Sequence, residues 1–227
     1  MTLQHVDIVF QLIAFLFAIS VHESAHAWMA NQRGDPTARM LGRITLNPVK
    51  HIDPFGTVLL PLVAMLTHMP VLGWAKPTPV DPRNFKNHVL DDILTSVAGP
   101  VSNFLVASLV VAVLAIIKAA SPTGRQIIFG IPQGWVSPEM NSFLLPLCLL
   151  LYELMVINVV LGVFNLIPIP PLDGSHVLRH FLPATALRVY DTVGYFGLFL
   201  LVFWGGNFLA RLIFPVLAVF KLLILRV

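Results

Sequence analysis

Apolar residues run along this chain in long stretches, and the few polar positions inside those stretches carry most of the information. Ile8 to Val21 is apolar except for Gln11 and Ser20, and Ala27 to Ala30 continues the run until Asn31, Gln32 and Arg33. The pattern predicts a helix from about Ile8 to Ala30, rising roughly 35 Å, enough to span a bilayer. Ile93 to Ile117 and Ser142 to Phe164 predict further full spans. Thr192 to Leu225 is longer, and Gly205-Gly206-Asn207 inside it predicts either two shorter spans or one kinked span. Phe55 to Leu72 is short, contains His68 and is interrupted at Pro61, which fits a segment that dips into the membrane and returns. Ala38 to Leu46, closed by Asn47-Pro48, reads as one or two short strands whose edge is able to pair with an extended peptide, or equally as an amphipathic interface loop.

Composition fixes the class. Of 227 residues, 57% are hydrophobic and only 11% charged, and the mean hydropathy is +0.84. A soluble domain carries about 25% charge, so the chain reads as an integral membrane protein. The expected fold is all-α and polytopic, with five to six transmembrane helices, a re-entrant segment and a short membrane-associated β element. No internal repeat divides residues 1–227, which read as one unit. A cleavable leader is not expected, because the first apolar segment lacks a basic flank. The one cysteine, Cys148, excludes an internal disulfide framework and reads as a buried thiol. The net charge of +3 matches basic loops facing an anionic leaflet, and no nucleic-acid motif accompanies it.

Those loops orient the chain. Arg33, Arg39, Arg43 and Lys50 follow the first span, Lys76, Arg83 and Lys86 follow Phe55–Leu72, and Arg179 and Arg188 follow Ser142–Phe164. The 118–141 connection holds only Lys118 and Arg125. The positive-inside rule places the first three groups in the cytosol and the last connection outside. Both flanks of Phe55–Leu72 then share one side, so the segment does not cross.

The candidate chemistry sits in the first span, as His22-Glu23-Ser24-Ala25-His26. Ionisable groups in hydrocarbon are costly and mark functional sites. In an HExxH helix the two histidines, one turn apart, hold one Zn²⁺ and the glutamate polarises the attacking water. Counting back from Arg33, the metal would lie about 10–16 Å below one membrane face. A catalytic zinc takes three protein ligands. His51 and Asp53 lie downstream, but Asp173 is the stronger candidate, because Pro168, Pro170 and Pro171 break the chain before it near membrane depth. The bland reading of Asp173 is a helix cap in a surface turn. His176 and His180 form a second pair four residues apart, without a neighbouring carboxylate and beside Arg179, and read as a solvated helix face. Glu153 is a further charge within a span and receives no catalytic role. Gly99, Ser102 and Ala107 permit close helix approach, and Asn103 is a candidate donor to an oxyanion.

Taken together, His22-Glu23-xx-His26, Gly99-Pro100-xx-Asn103 and the Asn165…Pro168…Asp173-Gly174 run resemble the site-2 protease family of intramembrane zinc metalloproteases, in its minimal bacterial form without PDZ or CBS domains. The resemblance covers most of the chain. It implies His22, His26 and Asp173 as zinc ligands, one Zn²⁺ per chain, Glu23 as general base, and Asn103 and Asn165 as substrate- or oxyanion-binding positions. The stretch from Asn165 to Gly174 is longer than the family's Asn-Pro-Asp-Gly core, which leaves the role of Asn165 open. The implied activity is hydrolysis of peptide bonds within or near transmembrane segments, in the inner or plasma membrane, with the site opening to the cytosol. Expected partners are transmembrane protein substrates carrying helix-weakening residues, the bilayer, and as an open alternative a second copy of the chain; nucleic acid is not expected. The competing class is a metal-ion carrier using His22, His26, Asp173 and Glu153 as transit ligands. Carriers favour repeated ligand sets on several spans, and this chain shows none.

Overall fold

The computed structural model describes residues 3–59, 63, 74–135 and 142–226, with the backbone alone for 3–7, 58 and 195. Its helices are α1 (Leu3–Arg33), the single turn α2 (Thr37–Met40), α3 (His88–Ala120), α4 (Pro122–Gly130), α5 (Leu144–Asn165), α6 (Asp173–Arg179), α7 (Ala184–Trp204) and α8 (Gly206–Arg226). Among the described residues, α1, α3, α5 and α8 are each long and apolar enough to cross a bilayer. α7, bent by 52° between Ala184–Gly194 and Phe196–Trp204, makes a fifth if the bent pair is one span. The 192–225 run is therefore two helices. They part at Gly205, whose N–H closes α7 onto the Leu201 carbonyl at 2.8 Å.

α1, α3 and α5 pack on one another as a central trio, with α4 and α8 against its α3–α5 side. The core there is aliphatic, with Val110 and Leu114 of α3, Ile127 of α4, Cys148, Met155 and Val159 of α5, and Ile224 of α8. Polar groups enter the trio at the other end, where the site forms. Each helix boundary there has a local cause. α1 stops at Gly34, whose φ of +112° favours glycine and whose missing side chain admits the Asn84 carbonyl. α3 starts at Asn87, whose side chain accepts from Leu90 N while Asp91 accepts from Asn87 N.

One expectation meets a different outcome, and a second falls largely outside the described residues. Ala38–Leu46 is not a strand, and no strand occurs among the described residues. Thr37–Met40 is a helical turn, Gly42 takes φ +65°, and the polar groups that would form an edge are used elsewhere. Thr45 N donates to Ser24 Oγ at 3.0 Å, Ser24 Oγ donates back to the Thr45 carbonyl, and His51 Nε2 donates to that same carbonyl at 2.9 Å. A β ladder needs a partner strand, and α1 satisfies these groups instead. Of the expected re-entrant segment Phe55–Leu72, residues 60–62 and 64–72, His68 among them, lie outside the described residues. Its two flanks meet: Trp74 N donates to the Gly56 carbonyl at 3.2 Å, and Thr57 Oγ1 donates to the Trp74 carbonyl at 2.7 Å.

Candidate active site

His22 and His26 project from one face of α1 toward α3, and α3 is shaped to receive them. One stripe of α3 carries Thr95, Gly99 and Asn103, spaced about a turn apart. His26 Nδ1 lies 2.7 Å from the Thr95 carbonyl, and His22 Nδ1 lies 2.6 Å from Asn103 Oδ1. Between these contacts Gly99 leaves a gap, since a Cβ there would sit 2.3 Å from His26 Nε2. Asp173 is the first residue of α6. It arrives from the Leu166–Leu172 loop, which presses so closely that a Cβ on Gly174 would lie 2.3 Å from the Leu166 carbonyl. Its carboxylate stands 3.1 Å from His22 Nε2 and 3.4 Å from His26 Nε2, and the two Nε2 atoms are 3.1 Å apart.

Proton positions decide what this cluster can hold. A carbonyl oxygen only accepts, so His26 carries its proton on Nδ1, facing Thr95. Asn103 turns its Nδ2 to Asn158 Oδ1 (2.8 Å) and to the Ala18 carbonyl (3.4 Å), which leaves Oδ1 to accept from His22 Nδ1. Both imidazoles therefore point bare Nε2 lone pairs at a carboxylate. Its buried Oδ2 has no hydrogen-bond donor. Lone pairs converging without a proton repel unless a cation lies between them. Among the described residues this trio is the one group whose ligand atoms all lie within 4.8 Å of one another. Two nitrogens and a carboxylate oxygen suit Zn²⁺.

Glu23 is next to this cluster and half-buried. Its Oε2 accepts from Thr78 N at 2.9 Å and lies 2.7 Å from Thr78 Oγ1. Thr78 belongs to an extended strap, residues 74–80, fastened by the buried guanidinium of Arg43 to the carbonyls of Lys76 (3.0 Å) and Pro77 (2.7 Å).

A family model for peptidase family M50 matches residues 10–204 of this chain. The chain belongs to that family, the site-2 proteases. Over 179 residues it is 38% identical to the Bacillus subtilis (strain 168) protein named "Putative zinc metalloprotease YwhC", covering 76% of this chain and 68% of that one. No solved structure matches. The family makes this a membrane metallopeptidase, and zinc is the metal its relative's name carries.

Within this M50 chain, the other sequence candidates fall out of the cluster for visible reasons. His51 is buried and turned to the Thr45 carbonyl, and Asp53 Oδ1 accepts from Phe55 N and Gly56 N, closing its own turn. His176 and His180 are partly exposed and both approach Asp92 of α3, His180 Nε2 at 2.7 Å and His176 Nδ1 at 3.5 Å. Asn103 is fully buried with both ends of its amide engaged, so it supports His22 and presents no N–H to an oxyanion. Asn165 ends α5 and donates to the Leu161 carbonyl at 3.0 Å, outside the trio. Glu153 also lies outside it.

Sequence reasoning passes over Thr78, the Thr95 carbonyl and Asn158. A backbone carbonyl leaves no trace in sequence. Thr78 is joined to Glu23 only by folding across 55 residues. Asn158 does leave a signal: an amide in the middle of an apolar span, the same kind of clue as Glu153.

Proposed function

We propose that this chain is an intramembrane zinc endopeptidase that hydrolyses peptide bonds within or near transmembrane segments of other membrane proteins. The observation that carries this reading is the convergence of His22 and His26, from an apolar helix, on Asp173, with ligand atoms within 4.8 Å of one another and Glu23 beside them. One Zn²⁺ per chain fits those ligands, and when bound it supplies Lewis acidity to the scissile carbonyl and acidifies water. Glu23 acts as general base: it takes a proton from the attacking water and returns it to the leaving amine. Thr78 holds Glu23 Oε2, so Oε1 is the oxygen left for proton transfer.

A peptide bond in a helix is shielded and internally bonded, so the substrate must reach the site locally extended. Transmembrane segments with Gly or Pro near the cut fit this requirement, because in lipid an unwound backbone is costly unless the protein satisfies it.

The proposed topology places the N-terminus outside and the site near the cytosolic face of the cell membrane. Three basic regions gather at one end of the molecule in its support. Asp35 accepts from Asp81 N at 2.7 Å, tying the loop after α1 to the 81–84 turn, and His180 reaches the start of α3 through Asp92. Lys118, in the last turn of α3, and Arg125 just beyond it mark the far end, about 50 Å away for a helix of 33 residues. The paired flanks Gly56 and Trp74 fit a segment that enters and leaves on one side.

Co-expression with a panel of tagged single-span proteins tests the function. Wild type is expected to release a shortened fragment, and Glu23→Gln to lose cleavage by about 10²- to 10⁴-fold while keeping its zinc. Equal cleavage by Glu23→Gln would contradict the assigned base.

A further inference from the structure

Asn158 lies two hydrogen bonds away from the metal cluster, in the middle of α5, and is fully buried. Its Nδ2 donates to the Leu154 carbonyl of its own helix at 2.7 Å. That carbonyl has no proton to give, so the amide of Asn158 has one orientation, with Oδ1 toward α3. There it accepts from Asn103 Nδ2 at 2.8 Å. With Nδ2 held by Asn158, Asn103 has one orientation too, and its Oδ1 faces His22 Nδ1 at 2.6 Å. The direction of every donor in this chain is thus set from the Leu154 carbonyl outward, across α5, α3 and α1.

We infer that Asn158 is a positioning residue for the metal centre, which fixes the polarity of the Asn103 amide and thereby keeps the His22 proton on Nδ1 and the lone pair on Nε2. The inference rests on the zinc reading of the trio. Turned the other way, Asn103 would present Nδ2 to His22, and the imidazole would answer by accepting at Nδ1 and protonating Nε2, the atom needed as a ligand. Without Asn158, the contact opposing that turn is the long one from Asn103 Nδ2 to the Ala18 carbonyl, 3.4 Å. An outer partner that sets a ligand's tautomer changes metal affinity without touching the metal.

A plainer role competes: an Asn–Asn bond between two spans is also helix–helix glue. The two roles separate at the His22 ring: lost glue leaves its proton on Nδ1, whereas lost amide polarity moves it to Nε2. Asn103→Asp is the control background, since its carboxylate offers an oxygen to His22 whichever way it turns and its second oxygen meets Asn158 Oδ1 with no proton between them. Removing Asn158 should then cost no zinc affinity.

The experiment is a double-mutant cycle on the full-length protein in detergent, with zinc affinity read by competition against a chromophoric chelator. Asn158→Leu in the wild-type background is expected to weaken zinc about 10- to 100-fold. In the Asn103→Asp background the same change is expected to leave affinity unchanged or improve it. If Asn158→Leu does not fold, Asn158→Ala is read in the same two backgrounds. As a second readout, ¹⁵N spectra of the metal-free protein should show His22 protonated at Nδ1 in wild type and shifted toward Nε2 in the Asn158 variant. No loss in wild type, a loss in the Asn103→Asp background, or a His22 proton that stays on Nδ1 in the Asn158 variant would overturn the positioning role. Wild-type protein that holds no zinc would contradict the zinc reading itself, so the two failures are distinguishable.

Discussion

His22 and His26 have the same four-residue spacing as His176 and His180, and each pair faces one aspartate from another element. Their chemistry is nonetheless opposite. In the first pair both Nδ1 atoms are already used, on Asn103 and Thr95, and the Nε2 atoms converge on a carboxylate whose buried Oδ2 has no hydrogen-bond donor. In the second pair the nitrogen of His180 that faces Asp92 is itself the donor, at 2.7 Å, so the carboxylate is satisfied and no cation is called for. The side chain of His176 is also 42% exposed against 7% for His22. Helical spacing brings two imidazoles together. What they bind depends on the partner of the other ring nitrogen.

The contrast breaks most visibly at the aspartates. Asp173→Ala removes a proposed ligand and should weaken zinc by more than the about 10- to 100-fold that an outer partner is worth, while Asp92→Ala should leave zinc content unchanged. Metal analysis showing the reverse would exchange the roles of the two clusters. Gly99→Ala tests the space between the imidazoles. Its Cβ would come 2.3 Å from His26 Nε2, so zinc affinity should fall although no polar group is lost. Retention at wild-type affinity would show that the pair adjusts at little cost.

A smaller effect is expected at the strap. Thr78→Val deletes one hydrogen bond to the Glu23 carboxylate and keeps the backbone N–H, so kcat should drop about tenfold, the order of one bond to a charged group, with zinc content unchanged. An unaltered kcat would remove Thr78 from the positioning of the base.

Asp35 lies away from the site and sharpens the contrast from the other side, since it is a buried carboxylate saturated with donors. Burial raises its pKa, but hydrogen bonds from Thr37, Asp81 N and Asn84 outweigh that and hold it below the usual value. A depressed folded pKa contributes stability above the unfolded value of about 4, and that stability is lost as pH falls through the folded value. Thermal unfolding in detergent should therefore show an acid-dependent loss below about pH 4 in wild type. Asp35→Asn should be less stable at neutral pH by about 1–3 kcal/mol and lack that loss. An identical acid profile in the variant would assign the dependence elsewhere.

The spans and the HExxH helix are legible in the sequence because hydrophobic runs and one-turn spacing are local properties. Asp173 is legible because prolines before it announce irregular backbone at depth. Asn103 stands out as a polar group in a span, but its role as a support for His22 does not, since the way an amide points depends on Asn158, 55 residues away. The same limit explains Ala38–Leu46, whose alternation suits a strand until Ser24 and His51 take its polar groups. Arg43, counted among the charges that orient the chain, also serves as a buried staple on the strap over Glu23.

Zinc K-edge X-ray absorption on the purified protein tests the central claim most directly. The account predicts one zinc per chain bound by two imidazoles and carboxylate oxygen, with the spectrum unchanged in the His176→Ala/His180→Ala double variant and one imidazole lost in His22→Ala. Loss of imidazole ligation in the double variant, or an unaltered spectrum in His22→Ala, would contradict it.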